Sequence, residues 1–265
     1  MEAQVNEIAI YPLIGLLAGF LAGIFGIGGG VVIVPLLVTI LGWQQVDDDL
    51  ALSLAVGTSL ATIAVTSISS ARAHYRHGNV RRDCVWLLLP GLVFGAINGV
   101  VVGDVLSGKT LSLLLGVFFL ILAIKVLVNS RSVGSYPLPG RNGMLIAGSS
   151  IGLASALFGI GGGTLMVPFL ERHSIPMRQA VGTSAAAGIP IAIVGAITAM
   201  VVGDTKTSVS WTTGYVYWPA FVGIVILSMP GAKLGALVAS RLKAKVLKLT
   251  FAGLLIVVGL NFLLG

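Results

Sequence analysis

Residues 25–35 read Phe-Gly-Ile-Gly-Gly-Gly-Val-Val-Ile-Val-Pro, and residues 158–168 read Phe-Gly-Ile-Gly-Gly-Gly-Thr-Leu-Met-Val-Pro. Both phrases sit inside apolar stretches, and the spacing from glycines to Val-Pro is the same in each. Consecutive glycines in such a setting interrupt a helix and free main-chain N–H groups. In hydrocarbon, bare backbone survives only where protein buries it or where it lines a cavity. One glycine-broken apolar segment in each half of a chain is the sequence pointer to a transporter's binding site.

Composition agrees with that setting. The chain has 265 residues, of which 56% are hydrophobic and 9% charged, and its mean hydropathy is +1.03. A soluble domain carries about 25% charged residues, so lipid has to be the solvent for much of this surface. The net charge of +7 lies in short loops between apolar segments, not on a polar face interleaved with aromatics. That distribution argues for membrane orientation and against nucleic acid. The single cysteine, Cys84, excludes an intrachain disulfide and a cysteine-based metal site. The start of the chain, Met1-Glu2-Ala3-Gln4-Val5-Asn6-Glu7, lacks the positive region of a signal peptide, so Ile8 onward is expected in the mature protein.

Other phrases repeat in the same order. Ala55-Val56-Gly57-Thr58-Ser59 is echoed by Ala180-Val181-Gly182-Thr183-Ser184, and Pro90-Gly91 with Gly95-Ala96 by Pro230-Gly231 with Gly235-Ala236. The chain therefore reads as a first repeat over 1–128, a connecting loop over 129–142 and a second repeat over 143–265. Each repeat offers a broken apolar region (8–42 and 143–170) and three further apolar segments. These are 51–70, 85–103 and 110–128 in the first repeat, and 180–202, 213–238 and 245–264 in the second.

Charge decides how the broken regions cross. If each crossed once, the 16 Lys and Arg residues would divide evenly between the two faces. If each is a hairpin that enters and leaves on one face, only Lys109 and Lys206 of the 16 fall on the poor side. Of the 9 acidic residues, only Asp83 and Glu171 then share the basic side. Length agrees, because 143–170 is well short of the roughly 40 residues that two full spans need. The expected fold is an all-α polytopic membrane protein. It has two inverted repeats, each a re-entrant glycine-broken hairpin plus three transmembrane helices. Both termini face outside a plasma membrane.

The chemistry follows from the breaks. A helix restarting after each glycine turn presents unpaired N–H groups and a partial positive charge, which suits an anion. The expected binding residues are Gly26, Ile27, Gly28, Gly29 and Gly30 in the first turn and Gly159, Ile160, Gly161, Gly162 and Gly163 in the second. Thr58, Ser59, Thr183 and Ser184 follow in the next spans. Two readings stand for these hydroxyls: they line the site, or they bond backbone as hydroxyls in helices often do. By contrast, Gly15, Gly19 and Gly23, and Gly91, Gly95, Gly99 and Gly103, recur every fourth residue and read as close helix packing. No dinucleotide fingerprint is present, because Val31 stands where a third glycine would be needed. No Asp or Glu falls inside an apolar segment, so no carboxylate proton relay is visible. His74, His77 and His173 read as solvated or headgroup-facing. Neither a cofactor nor a metal is implied.

These phrases, with His74-Tyr75-Arg76-His77-Gly78-Asn79-Val80, resemble the sulfite exporter TauE/SafE family over essentially the whole chain. The second half departs in one place, with Gly203-Asp204-Thr205-Lys206 where the first has its basic run. The resemblance implies export of sulfite, a sulfonate or a related sulfur-containing anion. The partners expected are therefore a small anion and the lipid bilayer. Secondary transport by alternating access is the leading expectation. An anion channel, and a non-transporting subunit or intramembrane enzyme, are the alternatives. An enzyme is not expected, since Cys84 stands alone beside Arg81, Arg82 and Asp83 in a loop, with no His–carboxylate cluster.

Overall fold

The computed structural model describes residues 10–25, 29–128, 136–203, 209–239 and 244–264. The described chain forms helices α1 (Ile10–Phe25), α2 (Gly30–Trp43), α3 (Asp48–Arg76), α4 (Arg82–Val105) and α5 (Gly108–Val128). These are followed by α6 (Arg141–Leu157), α7 (Gly163–Arg172) and α8 (Met177–Val202). Strands β1 (Thr212–Thr213) and β2 (Val216–Tyr217) come next, then α9 (Trp218–Ala239) and α10 (Ala244–Leu264). Helices α3, α4, α5, α8 and α9 are long and apolar enough to cross a bilayer. The sixth expected span, α10, contributes the shorter apolar stretch Leu249–Leu264.

Local signals place the helix ends. The Asp47 side chain accepts the Asp49 N–H at 3.0 Å and caps α3, with Asp48 and Asp49 in the first turn and His74 and Arg76 in the last. Those charges oppose the helix dipole at both ends. The expected start of the last-but-one segment at 213 is corrected. Residues 212–217 form a two-stranded antiparallel ribbon instead, and the helix begins at Trp218. Gly214, at φ 52, turns the ribbon, in a conformation that glycine adopts without strain.

The glycine stripes bring helices into backbone contact. On α1, Gly15, Gly19 and Gly23 lie against Ile224, Ser228 and Ala232 of α9. On α4, Gly91, Gly95 and Gly99 lie against Leu145, Ser149 and Leu153 of α6. In both pairs the register advances together, so the helices run parallel. Two other pairs run antiparallel. Ser67 of α3 meets Gly188 of α8 while Leu60 meets Gly195. Ser112 of α5 donates to the Phe262 carbonyl of α10 at 2.8 Å, while Leu120 reaches Gly259.

Helices α1 and α2 form a hairpin closed at its open end, where Gln44 Nε2 donates to Tyr11 Oη at 3.0 Å. Helices α6 and α7 form a second hairpin. There the Arg172 guanidinium lies 5.3 Å from the centre of the Tyr136 ring, just ahead of α6. In each hairpin, entry and exit are therefore neighbours. The outer faces are apolar, with Phe94, Ile97 and Val101 of α4 and Val117, Ile121 and Ile124 of α5 all exposed. Trp43, Trp211 and Trp218 are exposed near helix ends, as an interfacial belt requires. Cys84 is not in a loop. It is buried in the first turn of α4.

Packing at the stripes predicts opposite outcomes for one substitution. A Cβ on Gly95 would sit 2.7 Å from the Leu153 amide nitrogen, whereas one on Gly253 would meet nothing within 4 Å. Gly95→Ala is expected to cost about 1–3 kcal/mol through overpacking. Gly253→Ala is expected to be neutral or to gain about 0.5–1 kcal/mol. Thermal unfolding in detergent checks both, and equal midpoints for the two variants would contradict the assignment.

Candidate functional site

In the second glycine turn, α6 stops after Leu157 and Gly159 adopts φ 62. The Ile160 N–H folds back onto the Ser155 carbonyl at 2.9 Å. Glycine is required at that left-handed position beyond a helix end. Gly162 then precedes α7, and its carbonyl accepts the Met166 N–H at 2.8 Å. Gly29 occupies the same place before α2, accepting from Ile33 at 2.9 Å. Neither glycine has a side chain to cap the first N–H groups of its helix, and such groups have no partner within the helix itself. Gly26, Ile27 and Gly28 lie outside the described residues.

The two turns touch. A Cβ on Gly30 would overlap the Gly159 carbonyl and lie 2.8 Å from Ile160 Cα. A Cβ on Gly159 would lie 2.9 Å from Val56 Cα. Ser59 Oγ donates to the Gly159 carbonyl at 2.7 Å, which ties α3 to the turn. Backbone meets backbone here because no side chain intervenes.

Beside this contact lies a cavity of about 270 Å³. Gly29 and Gly161, Gly162 and Gly163 form one end of it. Thr62, Thr66, Ser70 and His74 of α3 form a wall, faced by Ser184 and Gly188 of α8 and Ser228 of α9. The α3 residues recur every fourth position, which is one face of a helix. From Thr62 to His74 the wall runs about 18 Å at 1.5 Å per residue, from the turns to the basic loop. Ser70 is exposed and His74 half-buried, so the cavity meets the surface at that end. No Lys or Arg is among its described lining residues. On the other side of the turns is a void of about 20 Å³, lined by Gly57, Asp104 and Tyr215 among others. There Tyr215 Oη donates to Asp104 Oδ1 at 2.7 Å. Burial, and then this bond, push the Tyr215 phenol far above its ordinary range.

Among the described residues, the expected site residues divide into three groups. Gly29, Gly161, Gly162, Gly163 and Ser184 line the cavity. Gly30, Gly159 and Ile160 hold the turns together and are not in its lining. The hydroxyls of Thr58, Ser59 and Thr183 are committed to backbone. Thr58 Oγ1 accepts the Tyr217 N–H at 2.9 Å, and Thr183 Oγ1 accepts the Arg81 N–H at 3.0 Å. The glycines before them, Gly57 and Gly182, lie against the carbonyls of Tyr215 and Asn79. Each Gly-Thr pair thus clasps the segment that leads into a long helix of the opposite half. The bonds made are to other segments, not to the helix's own backbone.

Ser184 differs from its neighbour. It is 2% exposed, and its Oγ has no hydrogen-bond partner among the described residues. An orphaned buried hydroxyl costs about 1–3 kcal/mol until a ligand or water meets it. Sequence reasoning missed the α3 wall, although Thr62, Thr66, Ser70 and His74 show a four-residue spacing in the sequence. His74 belongs to the cavity mouth and not only to the headgroup zone.

Adjacent positions should therefore react differently. In a Cys84→Ser background, Ser184→Cys is expected to react with a small charged thiol reagent, and Thr183→Cys at least tenfold more slowly. Mass spectrometry of timed reactions measures this, and equal rates would place the cavity elsewhere.

The family model described as Sulfite exporter TauE/SafE matches residues 11–262. A "Probable membrane transporter protein" of Haemophilus influenzae is 39% identical over 257 residues, covering 95% of this chain and 96% of that one. A protein of the same description from Methanocaldococcus jannaschii is 29% identical over 257 residues, with 95% and 94% covered. Another, YunE of Bacillus subtilis, is 26% identical over 271 residues, with 94% and 95% covered. No solved structure matches the chain.

Proposed function

This chain belongs to the sulfite exporter TauE/SafE family and is a multi-pass membrane transporter protein, and we propose that it exports a small sulfur-containing anion, sulfite or an organosulfonate, by alternating access. One observation carries the reading. Two helix starts without a side-chain cap, at Gly29 and Gly162, share one cavity with the buried Ser184 hydroxyl, which has no partner among the described residues. Main-chain N–H groups and helix dipoles hold an anion without a fixed cation. Weak, charge-free binding suits release. The anion rests against Gly29 and Gly161, Gly162 and Gly163, with Ser184 as a further donor.

The inverted arrangement, with repeats over 1–128 and 143–265, draws support from helix directions. Helices α3 and α8, which carry the matching Val-Gly-Thr-Ser phrases, run antiparallel, and so do α5 and α10. An axis in the membrane plane turns matching helices upside down in this way. The joined ends of each hairpin support re-entry on one face. Arg72, Arg76, Arg81 and Arg82 cluster at one end of α3, and that end faces the cytoplasm by the positive-inside rule. The cavity then opens inward, and both termini lie outside a plasma membrane. An inside-negative potential drives anions outward by about 2.3 kcal/mol per charge per 100 mV, so export requires no obligatory co-ion. Alternating access brings the inner mouth near His74 to closure as the Asp104–Tyr215 side opens.

Two measurements test this. In proteoliposomes, labelled sulfite is expected to leave faster than from protein-free vesicles, and external unlabelled sulfite is expected to accelerate it. Acceleration without a gradient marks a carrier, and flux lacking it marks a channel. The absence of flux for sulfite and for every sulfonate tried contradicts the reading. For topology, cysteines placed at Asp48 and Arg81 in a Cys84→Ser background are expected to label from opposite faces of the membrane. Labelling from the same face contradicts the hairpin arrangement.

A further inference from the structure

We infer that the cavity selects an anion that itself carries a hydrogen-bond donor, an O–H or N–H group separate from its sulfur oxyanion head. This rests on the anion-binding reading above and narrows its substrate class.

Thr66 Oγ1 donates to the Thr62 carbonyl at 3.1 Å, and Thr62 Oγ1 to the Thr58 carbonyl at 2.9 Å. Across the cavity, Ser228 Oγ donates to the Val225 carbonyl at 3.1 Å. A hydroxyl has one proton and two lone pairs. With the proton spent on its own helix, each of these groups can present only lone pairs to the cavity. Thr66 and Ser228 are on different helices, α3 and α9, and both line the same space. The wall therefore accepts hydrogen bonds and offers none from these positions.

The end of the cavity has the opposite character. The helix starts after Gly29 and Gly162 present N–H groups, and Ser184 Oγ is buried with no partner among the described residues. Donors gather at that end, and Thr62, Thr66 and Ser228 place acceptors along the side, with Ser70 and His74 nearer the mouth. An oxyanion head satisfies the first set and is repelled by the second. A solute that also carries a donor satisfies both, and one without a donor leaves the acceptors unpaired in a buried site, which is disfavoured. Sites built to hydrogen-bond a polar group discriminate most strongly against the analogue that lacks it.

The test compares 2-hydroxyethanesulfonate with 1-propanesulfonate in proteoliposomes of the full chain. The two have the same number of heavy atoms and the same charge, and differ by O–H against CH₃. We expect the hydroxylated sulfonate to cross about tenfold faster, the size of one well-made hydrogen bond. Thr66→Val, which keeps the shape and removes the lone pairs, should bring the ratio close to one. Thr66→Ser should preserve it. Ser228→Ala should lower it independently, which covers a Thr66→Val protein that does not fold. Equal rates in the unmodified protein would overturn the inference, as would transport of sulfite with passage of neither sulfonate. In either case sulfite flux still tests the broader transport reading separately.

Discussion

The arrangement depends on one contact, the meeting of two glycine turns through their backbones. A chain that interrupts its helix within an apolar interior must find partners for the freed N–H and C=O groups. Here the Gly159 carbonyl takes the Ser59 hydroxyl, and Gly30 packs on Gly159 and Ile160 with no side chain between them. Beside the cavity, the starts of α2 and α7 carry no side-chain cap. Gly30 and Gly159 make the close approach, while Gly29 and Gly161, Gly162 and Gly163 line the cavity beside it.

The rest of the helix bundle holds that contact in place. Hairpin helix α1 is clamped along α9, and α6 along α4, by glycines that bring main chain against main chain. Lipid gives little hydrophobic drive between helices, so small residues and close packing have to supply it. The parallel pairs each join a hairpin of one half to a long helix of the other. A shift of one half therefore carries the other half's turn with it. The Gly57-Thr58 and Gly182-Thr183 clasps add hydrogen bonds between the same halves. Such interlocking keeps the two turns assembled against each other.

Much of this was legible in the sequence. The duplicated glycine phrase marked both turns, and the four-residue glycine spacing marked the packing faces, since each follows from one residue type at a fixed period. The ribbon at 212–217 was not legible, because residues from Thr213 through Trp218 read as the start of the apolar segment 213–238. Tertiary contacts of Tyr215 with Gly57, of Gly214 with Met200 and of the Tyr217 N–H with Thr58 hold that stretch aside. The hydroxyl phrases were ambiguous for a physical reason. A threonine's neighbours in sequence do not reveal whether its oxygen meets a cavity or another segment's N–H. Thr58 and Thr183 do the latter, Ser184 the former. The Thr62, Thr66, Ser70 and His74 face was present in the spacing and was masked by the habit of helix hydroxyls to bond their own backbone.

A bound anion seen directly would test the central claim, that main-chain amides of the two turns hold the substrate. Selenite has the shape and charge of sulfite, and its selenium can be located by anomalous scattering in a crystal of the full chain. The expected result is a selenium peak in the cavity, with its oxygens within hydrogen-bond distance of N–H groups at the starts of α2 and α7 and of Ser184 Oγ. A peak seated instead on basic side chains such as Arg81, with the turns unoccupied, would contradict the account.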